Sequence, residues 1–281
     1  MDSYIDLHVH SSCSDGTFTP EELVCYAQKK GLRAFALTDH DTVAGIQRAV
    51  DAAAGTELTV IPGVELSSDY KSRDIHILGL GIDRDSRKFS DYLESFREAR
   101  GKRNRLMIQK LQEHGVRITE EDMDRVFPEC VWTRAHFARF LKDRGFASSM
   151  EDAFRRYVGD EAPCFVPKEQ PAPEEAVKLI LDCGGHPVLA HPLLYRLSSR
   201  ELELLVRQLC SCGLQGLEAI YSANRFSDES AMKHLARRFG LCVTGGSDFH
   251  GSNKPEIDLG CGKGNLKIPF SLWEELQNRR S

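Results

Sequence analysis

The sequence predicts an α/β protein, because short β-rich segments alternate with helical patterns in two blocks, one towards each end of the chain. Alternation of this kind is typical of a parallel sheet, either an open one or a barrel-like one. The strand patterns vanish between the two blocks, which indicates an all-helical insertion in an α/β body. With 281 residues, the chain can form one large domain or a domain with a subdomain.

The first block contains four strand patterns and two helices. It begins with the apolar stretch Ile5–His10, and a helix follows in FTPEELVCYAQKKG. In that helix we expect Thr19 to be the N-cap, Pro20 to occupy the first turn and Gly31 to end it. The strand AFALTDHD, a helix from about Val43 to Ala54 and the strands LTVIPGVELSS and DIHILGLGID complete the block.

The second block starts at Pro173 and continues the alternation to the end of the chain. Its predicted elements are the helix EEAVKLILDCGG, the strand HPVLAHP, the helix SRELELLVRQLCSCG, the strand LEAIYS, the helix DESAMKHLARRFG, the strand CVTGGSDFHG and a last helix near Phe270–Asn278. Between the blocks, from about Ser86 to Val166, the patterns are helical. One of these helices carries Arg100, Arg103 and other basic residues interleaved with glutamates, which favours a solvated face over an RNA path.

Composition and charge limit the possible partners and the cellular location. The net charge of −5 provides no bulk positive field, so a nucleic acid ligand would have to be small or bound at a local basic site. Nine scattered cysteines without a C-x-x-C pair favour reduced thiols. No signal peptide is evident, and no apolar run approaches the ~20 residues that span a bilayer. We therefore expect a cytoplasmic protein without membrane contact, and no stable protein partner is evident.

The placement of the histidines predicts a functional site. Of ten histidines, six lie in or just after strand patterns: His8, His10, His40, His76, His191 and His250. The same places hold five carboxylates: Asp15, Asp39, Asp41, Glu65 and Asp248. The carboxyl ends of the strands form the functional face of parallel α/β folds, so these side chains should converge on one edge of the sheet. Residues two apart on a strand also point the same way, as in H-x-H and D-x-H.

Divalent metal ions would satisfy so many imidazoles and carboxylates on one face, which are costly as bare buried groups. The donors are nitrogen and oxygen without thiolate, a set that suits Zn, Mn or Fe(II). A lone histidine is more often structural, and we assign that role to His114, His234 and His186. The combination of H-x-H, a following aspartate, D-H, Glu and D-x-H in one chain favours a metal centre.

At these residues the chain resembles the PHP (polymerase and histidinol phosphatase) family of metal-dependent phosphoesterases. The stretches DLHVHSSCSDGTFTPEEL, ALTDHDTVAG, IPGVELSS, HILGLGID, VLAHP and GSDFHG are similar to the family's motifs in order. The resemblance implies a distorted (β/α)7 barrel formed by residues 1–85 and 167–281. It also implies that the helical insertion, residues 86–166, covers the active site.

The resemblance further implies two or three divalent ions, Mn, Zn or Fe, held by nine residues of this chain. These ligands divide into His8, His10, Glu65 and Asp248 for the first ion, Glu65, His76 and His191 for the second, and Asp15, His40 and His250 for the third. Glu65 would bridge the first two ions. Two close ions can share a water and present hydroxide to the ester bond, so no side-chain nucleophile is needed.

The remaining candidate residues concern proton transfer and substrate binding. Asp39 and Asp41 flank His40 and are candidates for orienting imidazoles or relaying a proton, with loop capping as an equal alternative. We count them as catalytic together with two of the ligands, His191 and His250. The insertion provides the candidates for substrate phosphate: Arg134, whose planar guanidinium suits phosphate, then His136 and Lys168. The related segment in the family has R-P-H where this chain has R-A-H.

The sequence therefore predicts a hydrolase of phosphate esters that acts on a phosphorylated nucleotide or a short 5′-phosphorylated oligoribonucleotide. The closest subgroup by resemblance removes the 3′-phosphate of nucleoside 3′,5′-bisphosphates or degrades short RNA from the 5′ end. Two alternatives stay open: a histidinol-phosphate phosphatase, and a non-catalytic metal-binding PHP module. The complete ligand set counts against the second alternative.

Overall fold

The computed structural model describes residues 4–128, 132–167 and 170–279, apart from the side chains of residues 88 and 95–97. The chain divides into two compact units, one formed by Met1–Ser90 with Gln170–Ser281 and the other by Asp91–Glu169. No helix among the described residues is long and apolar enough to cross a membrane. All eight cysteines within the described ranges are free thiols.

The first unit contains one seven-stranded sheet whose strands lie in sequence order. They are β1 (Ile5–Val9), β2 (Ala34–Leu37), β3 (Thr59–Tyr70), β4 (Arg73–Leu80), β5 (His186–Leu189), β6 (Gly216–Tyr221) and β7 (Cys242–Gly246). Neighbouring strands are parallel except at β4, which runs antiparallel to both β3 and β5. The segment after β7 returns to β1, where the Asp248 amide donates to the His8 carbonyl and the His10 amide to the Phe249 carbonyl.

These bonds bring the two edges of the sheet together, so the predicted α/β barrel is confirmed as a nearly closed seven-stranded barrel. The antiparallel strand β4 is its departure from an all-parallel barrel. The helices are α1 (Pro20–Lys29), α2 (Ile46–Ala53), α3 (Arg87–Glu113), α4 (Glu120–Val126), α5 (Arg134–Asp143), α6 (Met150–Ala153), α7 (Pro173–Asp182), α8 (Ser199–Ser211), α9 (Phe226–Arg238) and α10 (Ser271–Gln277). Two 3₁₀ helices, Pro192–Tyr195 and Gly251–Asn253, follow β5 and β7, and a π-helix, Phe154–Val158, follows α6.

Local sequence signals explain where the first helix begins and ends. The Thr19 hydroxyl accepts from the Glu22 amide, and the Glu22 carboxylate accepts from the Thr19 amide, which together form a capping box. Pro20 occupies the first turn of α1, where its missing N–H costs nothing. Gly31 follows the helix with φ +68°, a conformation that glycine adopts without strain. The predicted cap, first turn and stop are confirmed.

Strand β1 divides its side chains between the apolar core of the first unit and polar groups. Ile5 and Leu7 of β1 join an apolar cluster that includes Trp273 of α10. The intervening Asp6 and His8 are equally buried but belong to polar networks. Because side chains alternate across a strand, the same short strand supplies both apolar core and site residues.

The second unit has an apolar core of its own. Its fully buried members include Met107 of α3, Met123 of α4 and Phe137 of α5. The interpretation of the basic helix as a solvated face is wrong for Arg100 and Arg103, which are only 4% and 5% exposed. Arg103 Nη1 lies 2.9 Å from the sulfur of Met107 one turn later on the same helix.

Candidate metal centre

The barrel brings all nine predicted ligands into one group, which we call the ligand cluster; seven are buried, and His40 and His76 are half-buried. Its members are His8, His10, Asp15, His40, Glu65, His76, His191, Asp248 and His250. They come from the ends of β1, β2, β5 and β7 and from the antiparallel pair β3 and β4. His191 and Asp248 adopt φ +25° and +58°, and strained backbone of this kind is concentrated at functional sites.

Glu65 lies at the centre of the ligand cluster, with a different environment for each carboxylate oxygen. Its Oε1 lies 2.8 Å from His76 Nδ1 and 2.9 Å from His191 Nε2. The other oxygen, Oε2, lies 3.1–3.2 Å from nitrogens of three further imidazoles: His8, His10 and His40. One carboxylate therefore faces two sets of imidazoles, the arrangement expected of a residue that bridges two ions.

Two aspartates face His250 and also two of the imidazoles that face Glu65. Asp15 Oδ1 lies 3.2 Å from His250 Nε2, and Asp15 Oδ2 lies 3.8 Å from His40 Nε2. Asp248 Oδ1 lies 3.4 Å from His10 Nε2 and 3.3 Å from His250 Nδ1. Imidazole nitrogens and carboxylate oxygens thus alternate through the whole ligand cluster.

The ligand cluster contains four sets of residues. Within each set, the ligand atoms all lie within 4.8 Å of one another, a separation that fits a shared cation. The four sets are His10, Asp15, His40 and His250; His8, Glu65 and His191; His8, His10 and Asp248; and His40, Glu65 and His76. These sets overlap with the predicted three-ion partition without reproducing it, since His40 also groups with Glu65 and His76. The partition among individual ions stays a prediction.

Orphaned buried atoms show that these residues fit metal ions. The following atoms are fully buried and have no hydrogen-bond partner among the described residues: His8 Nε2, both ring nitrogens of His10, His40 Nδ1, Glu65 Oε2 and His191 Nδ1. An unsatisfied buried polar group costs about 1–3 kcal/mol. Divalent cations would satisfy these nitrogen and oxygen donors, and the absence of sulfur from the set matches catalytic rather than structural metal sites.

The carboxylates of the ligand cluster are held in their charged form. Burial alone raises a carboxyl pKa, but cationic neighbours outweigh it, so the pKa of Asp15, Glu65 and Asp248 lies well below the ordinary value. The surrounding imidazoles oppose burial at Glu65, and the Lys254 ammonium makes the largest opposing contribution at Asp248. These charges attract cations.

The pKa is raised for some imidazoles of the ligand cluster and lowered for others. Burial lowers the pKa of His10, but the nearby carboxylates of Asp248 and Glu65 outweigh it and raise the value to about 9. The same opposition at His76, with the Glu65 charge as the main partner, raises its pKa to about 10. At His40 burial dominates and lowers the pKa to about 3. A metal ion must therefore displace protons from some ligands and not from others.

Sequence reasoning missed Glu218, which is fully buried on β6. Its Oε1 lies 3.0 Å from His8 Nδ1, and its Oε2 accepts a 2.8 Å hydrogen bond from the His191 amide. A carboxylate on the far ring nitrogen directs the other nitrogen of a ligating histidine to the metal. The sequence feature that could have indicated this role is the position of Glu218 as the lone carboxylate within the apolar strand pattern LEAIYS.

Two further residues that sequence reasoning missed contact Asp248. Lys254 Nζ and the Tyr221 hydroxyl both donate to Asp248 Oδ2, over 2.6 Å and 2.7 Å. Burial lowers the pKa of Lys254, but the carboxylate of Asp248, with smaller contributions from Asp15 and Glu65, outweighs this effect and raises it. The ammonium therefore stays charged beside the ligand cluster.

The two aspartates predicted to be catalytic hold loops around the ligand cluster. Asp39 accepts from the Ser11 amide at 2.7 Å and from the hydroxyls of Ser11 and Ser14 at 2.6 Å. Asp41 accepts from the amide and the hydroxyl of Ser67 at 2.8 Å and 3.0 Å. These are the contacts of loop capping, the alternative that the sequence left open, and a proton-relay role stays a prediction.

The predicted phosphate-binding residues belong to the second unit. Arg134 begins α5, pairs with Asp160 and lies over the ring of Phe165. His136 is buried, and its Nδ1 accepts a 2.9 Å hydrogen bond from the Thr133 amide in the cap of α5. Lys168 lies outside the described residues. A role for these three residues in binding substrate stays a prediction.

Comparison with known proteins gives a consistent assignment. The PHP domain family matches residues 6–154, more than half of the chain. The chain is 36% identical to the 5′-3′ exoribonuclease Rnm of Escherichia coli (strain K12), an alignment that covers 97% of this chain and 94% of that protein. It is 35% identical to the 3′,5′-nucleoside bisphosphate phosphatase of Chromobacterium violaceum, over 98% and 97% of the two chains.

A solved structure from Chromobacterium violaceum, described as an amidohydrolase with bound sulfate and no metal, has a TM-score of 0.88 and 34% identity. The match covers 99% of this chain and 97% of that one. The two named relatives cleave phosphate ester bonds, and this protein is likewise a hydrolase of phosphate esters. By its sequence, its barrel and its ligand cluster, the chain belongs to the PHP domain family.

Proposed function

We propose that the protein is a metal-dependent phosphoesterase of nucleotides. Its substrates would be nucleoside 3′,5′-bisphosphates, from which it removes the 3′-phosphate, short RNA, which it degrades from the 5′ end, or both. The observation that carries the proposal is the convergence of nine imidazole and carboxylate side chains around Glu65, with orphaned nitrogen and oxygen atoms among them. The activities named for the two relatives support nucleotides as the substrate class.

Two or three divalent ions, Mn, Zn or Fe, are the proposed cofactors, held by the nine residues of the ligand cluster. When bound, such ions stabilise negative charge on phosphoryl oxygens and acidify water. Glu65 offers one oxygen to each of two sets of ligands. Glu218 holds the His8 ring and the His191 backbone in place. The free thiols support a reducing compartment, and we propose the cytoplasm.

Metal reconstitution followed by a phosphate-release panel tests this proposal. The panel contains a nucleoside 3′,5′-bisphosphate, a 5′-phosphorylated oligoribonucleotide and histidinol phosphate. We expect at least two ions per chain and faster release from the nucleotides than from histidinol phosphate. His10→Ala and Asp248→Ala should lose metal and turnover together, because each removes a donor from the centre of the ligand cluster.

His114→Ala is the matched control, since His114 is an exposed histidine at the end of α3 that bonds its own helix. That variant should keep its metal and its turnover. A protein that retains no metal after reconstitution, or that releases phosphate from none of the three substrates, contradicts the proposal. Fastest release from histidinol phosphate would instead assign the other substrate class.

A further inference from the structure

The segment after His250 returns across the loop that carries Asp15, and its contacts fix the position of Lys254. The Asn253 side-chain amide donates to the Asp15 carbonyl at 2.7 Å, and the Ser252 amide donates to the Thr17 hydroxyl at 2.9 Å. The Lys254 amide then closes the turn on the Gly251 carbonyl at 3.1 Å. Lys254 is therefore held beside the ligand cluster by the contacts of the three residues that precede it and of its own amide.

Asp248 divides its two oxygens between the ligand cluster and two donors. Oδ1 faces His10 and His250 at 3.4 Å and 3.3 Å. Oδ2 accepts from both the Lys254 ammonium and the Tyr221 hydroxyl. The two donors share an acceptor oxygen and have nearly equal distances to it, so each is suited to hold the carboxylate in this orientation.

Lys254 differs from Tyr221 in its access to solvent. Tyr221 is only 4% exposed, whereas 35% of the Lys254 side chain is accessible. An ammonium carries three N–H donors, and Asp248 is the one side-chain acceptor that Lys254 contacts among the described residues. The other two donors are not taken by any described side chain, and they lie next to a carboxylate that itself belongs to the ligand cluster.

We propose that Lys254 is a phosphate-binding residue of this site, which donates its remaining N–H groups to a phosphoryl oxygen of the substrate. The inference rests on the proposed function, because the phosphate must lie at the ligand cluster. A phosphate ester is an anion that accepts strong, charge-assisted hydrogen bonds from an ammonium. Lys254 would add a fixed positive charge to that of the metal ions on the same substrate group.

The test separates phosphate binding from the mere positioning of Asp248, because Tyr221→Phe removes the other donor to the same oxygen. Binding of inorganic phosphate to the metal-loaded protein is measured by calorimetry for Lys254→Met, Lys254→Arg and Tyr221→Phe. Bound metal is measured in the same samples. We expect Lys254→Met to weaken phosphate binding about tenfold or more with its metal retained. Lys254→Arg should restore most of the affinity, and Tyr221→Phe should change it little.

Equal phosphate affinity in Lys254→Met and the parent protein overturns the proposal. So does an equal loss of affinity in Lys254→Met and Tyr221→Phe, or a loss of metal in Lys254→Met, since each assigns Lys254 to positioning Asp248 alone. Phosphate binding requires no turnover, so this result is separate from the substrate panel. A protein that binds phosphate through Lys254 yet releases none from nucleotides contradicts the proposed function only.

Discussion

At the scale of single residues, His8 shows how two carboxylates can orient one ligand. Its Nε2 lies 3.2 Å from Glu65 Oε2 inside the ligand cluster, while its Nδ1 lies 3.0 Å from Glu218 Oε1 on the other side. Both carboxylates and the imidazole are almost completely buried. Because a hydrogen bond to Glu218 keeps the proton on Nδ1, Nε2 is left with its lone pair for a metal ion.

We expect Glu218→Gln to weaken metal binding about 10- to 100-fold, the usual effect of removing a carboxylate behind a ligating histidine. The amide can still bond His8 or the His191 amide, but it no longer carries the charge that favours the Nδ1–H form. Competition with a chelator measures the affinity. Glu229→Gln, a change in an ion pair with Lys233 on α9, is the control. Equal affinity in the parent and Glu218→Gln would show that Glu218 acts only in packing.

Because the pKa is raised at His10 and His76 and lowered at His40, we predict a pH dependence of metal binding. In the metal-free protein, His10 and His76 keep their protons up to about pH 9 and about pH 10, whereas His40 is neutral. Metal binding at neutral pH must therefore release protons, and the apparent affinity should rise as the pH increases from 6 to 8. Calorimetry in two buffers of different ionisation enthalpy counts these protons.

The same groups determine how the stability of the metal-free protein changes with pH. A histidine whose pKa is raised on folding contributes stability that is complete below about pH 6.5 and is lost as the pH rises through the folded value. The stabilisation by metal, measured as the difference in Tm with and without a chelator, should therefore grow between pH 6 and pH 8. A difference that shrinks over this range would contradict the assignment.

At the scale of elements, the site depends on how closely β7 approaches β1. A Cβ atom on Gly246 at the end of β7 would lie 2.2 Å from the Cβ of His8 and 2.9 Å from Glu218 Oε1. Real Cβ atoms do not come this close, so only glycine permits the approach. The paired strands thus hold a ligand and its supporting carboxylate together.

Gly246→Ala should displace His8 or β7, with a loss of metal affinity and a destabilisation of about 1–3 kcal/mol. Thermal unfolding and metal content measure the two effects. Gly101→Ala is the matched control, because Gly101 lies within α3 and, among the side chains that the structure describes, a Cβ there meets only the end of Arg105 at 3.8 Å. That change should leave stability unchanged or raise it by up to about 1 kcal/mol. Normal metal content in Gly246→Ala would show that the barrel adapts.

At the scale of the whole molecule, the chain folds as two units with separate hydrophobic cores. All nine members of the ligand cluster belong to the barrel unit, and the predicted phosphate-binding residues belong to the helical unit. The two units can therefore be tested for separate contributions to chemistry and to substrate choice.

We expect Arg134→Ala to raise KM for 5′-phosphorylated substrates about tenfold or more, because a guanidinium binds phosphate through paired, charged hydrogen bonds. Metal content and the turnover of a nucleoside 3′-monophosphate, which lacks the second phosphate, should not change. Arg144→Ala, at the other end of α5, is the control. An equal effect on both substrates would place the second phosphate elsewhere.

The sequence by itself determined the fold class and a group of six histidines and five carboxylates in or just after strand patterns, because strand patterns and ligand residue types are local features. The resemblance to the PHP family selected nine of these residues as ligands. His8, Glu65 and Asp248 could be found since each lies in or just after a recognisable strand pattern. Only the tertiary structure decided the roles of Glu218, Tyr221 and Lys254. Their partners lie far away in the sequence and are brought to them by strand register and barrel closure, which no local pattern specifies.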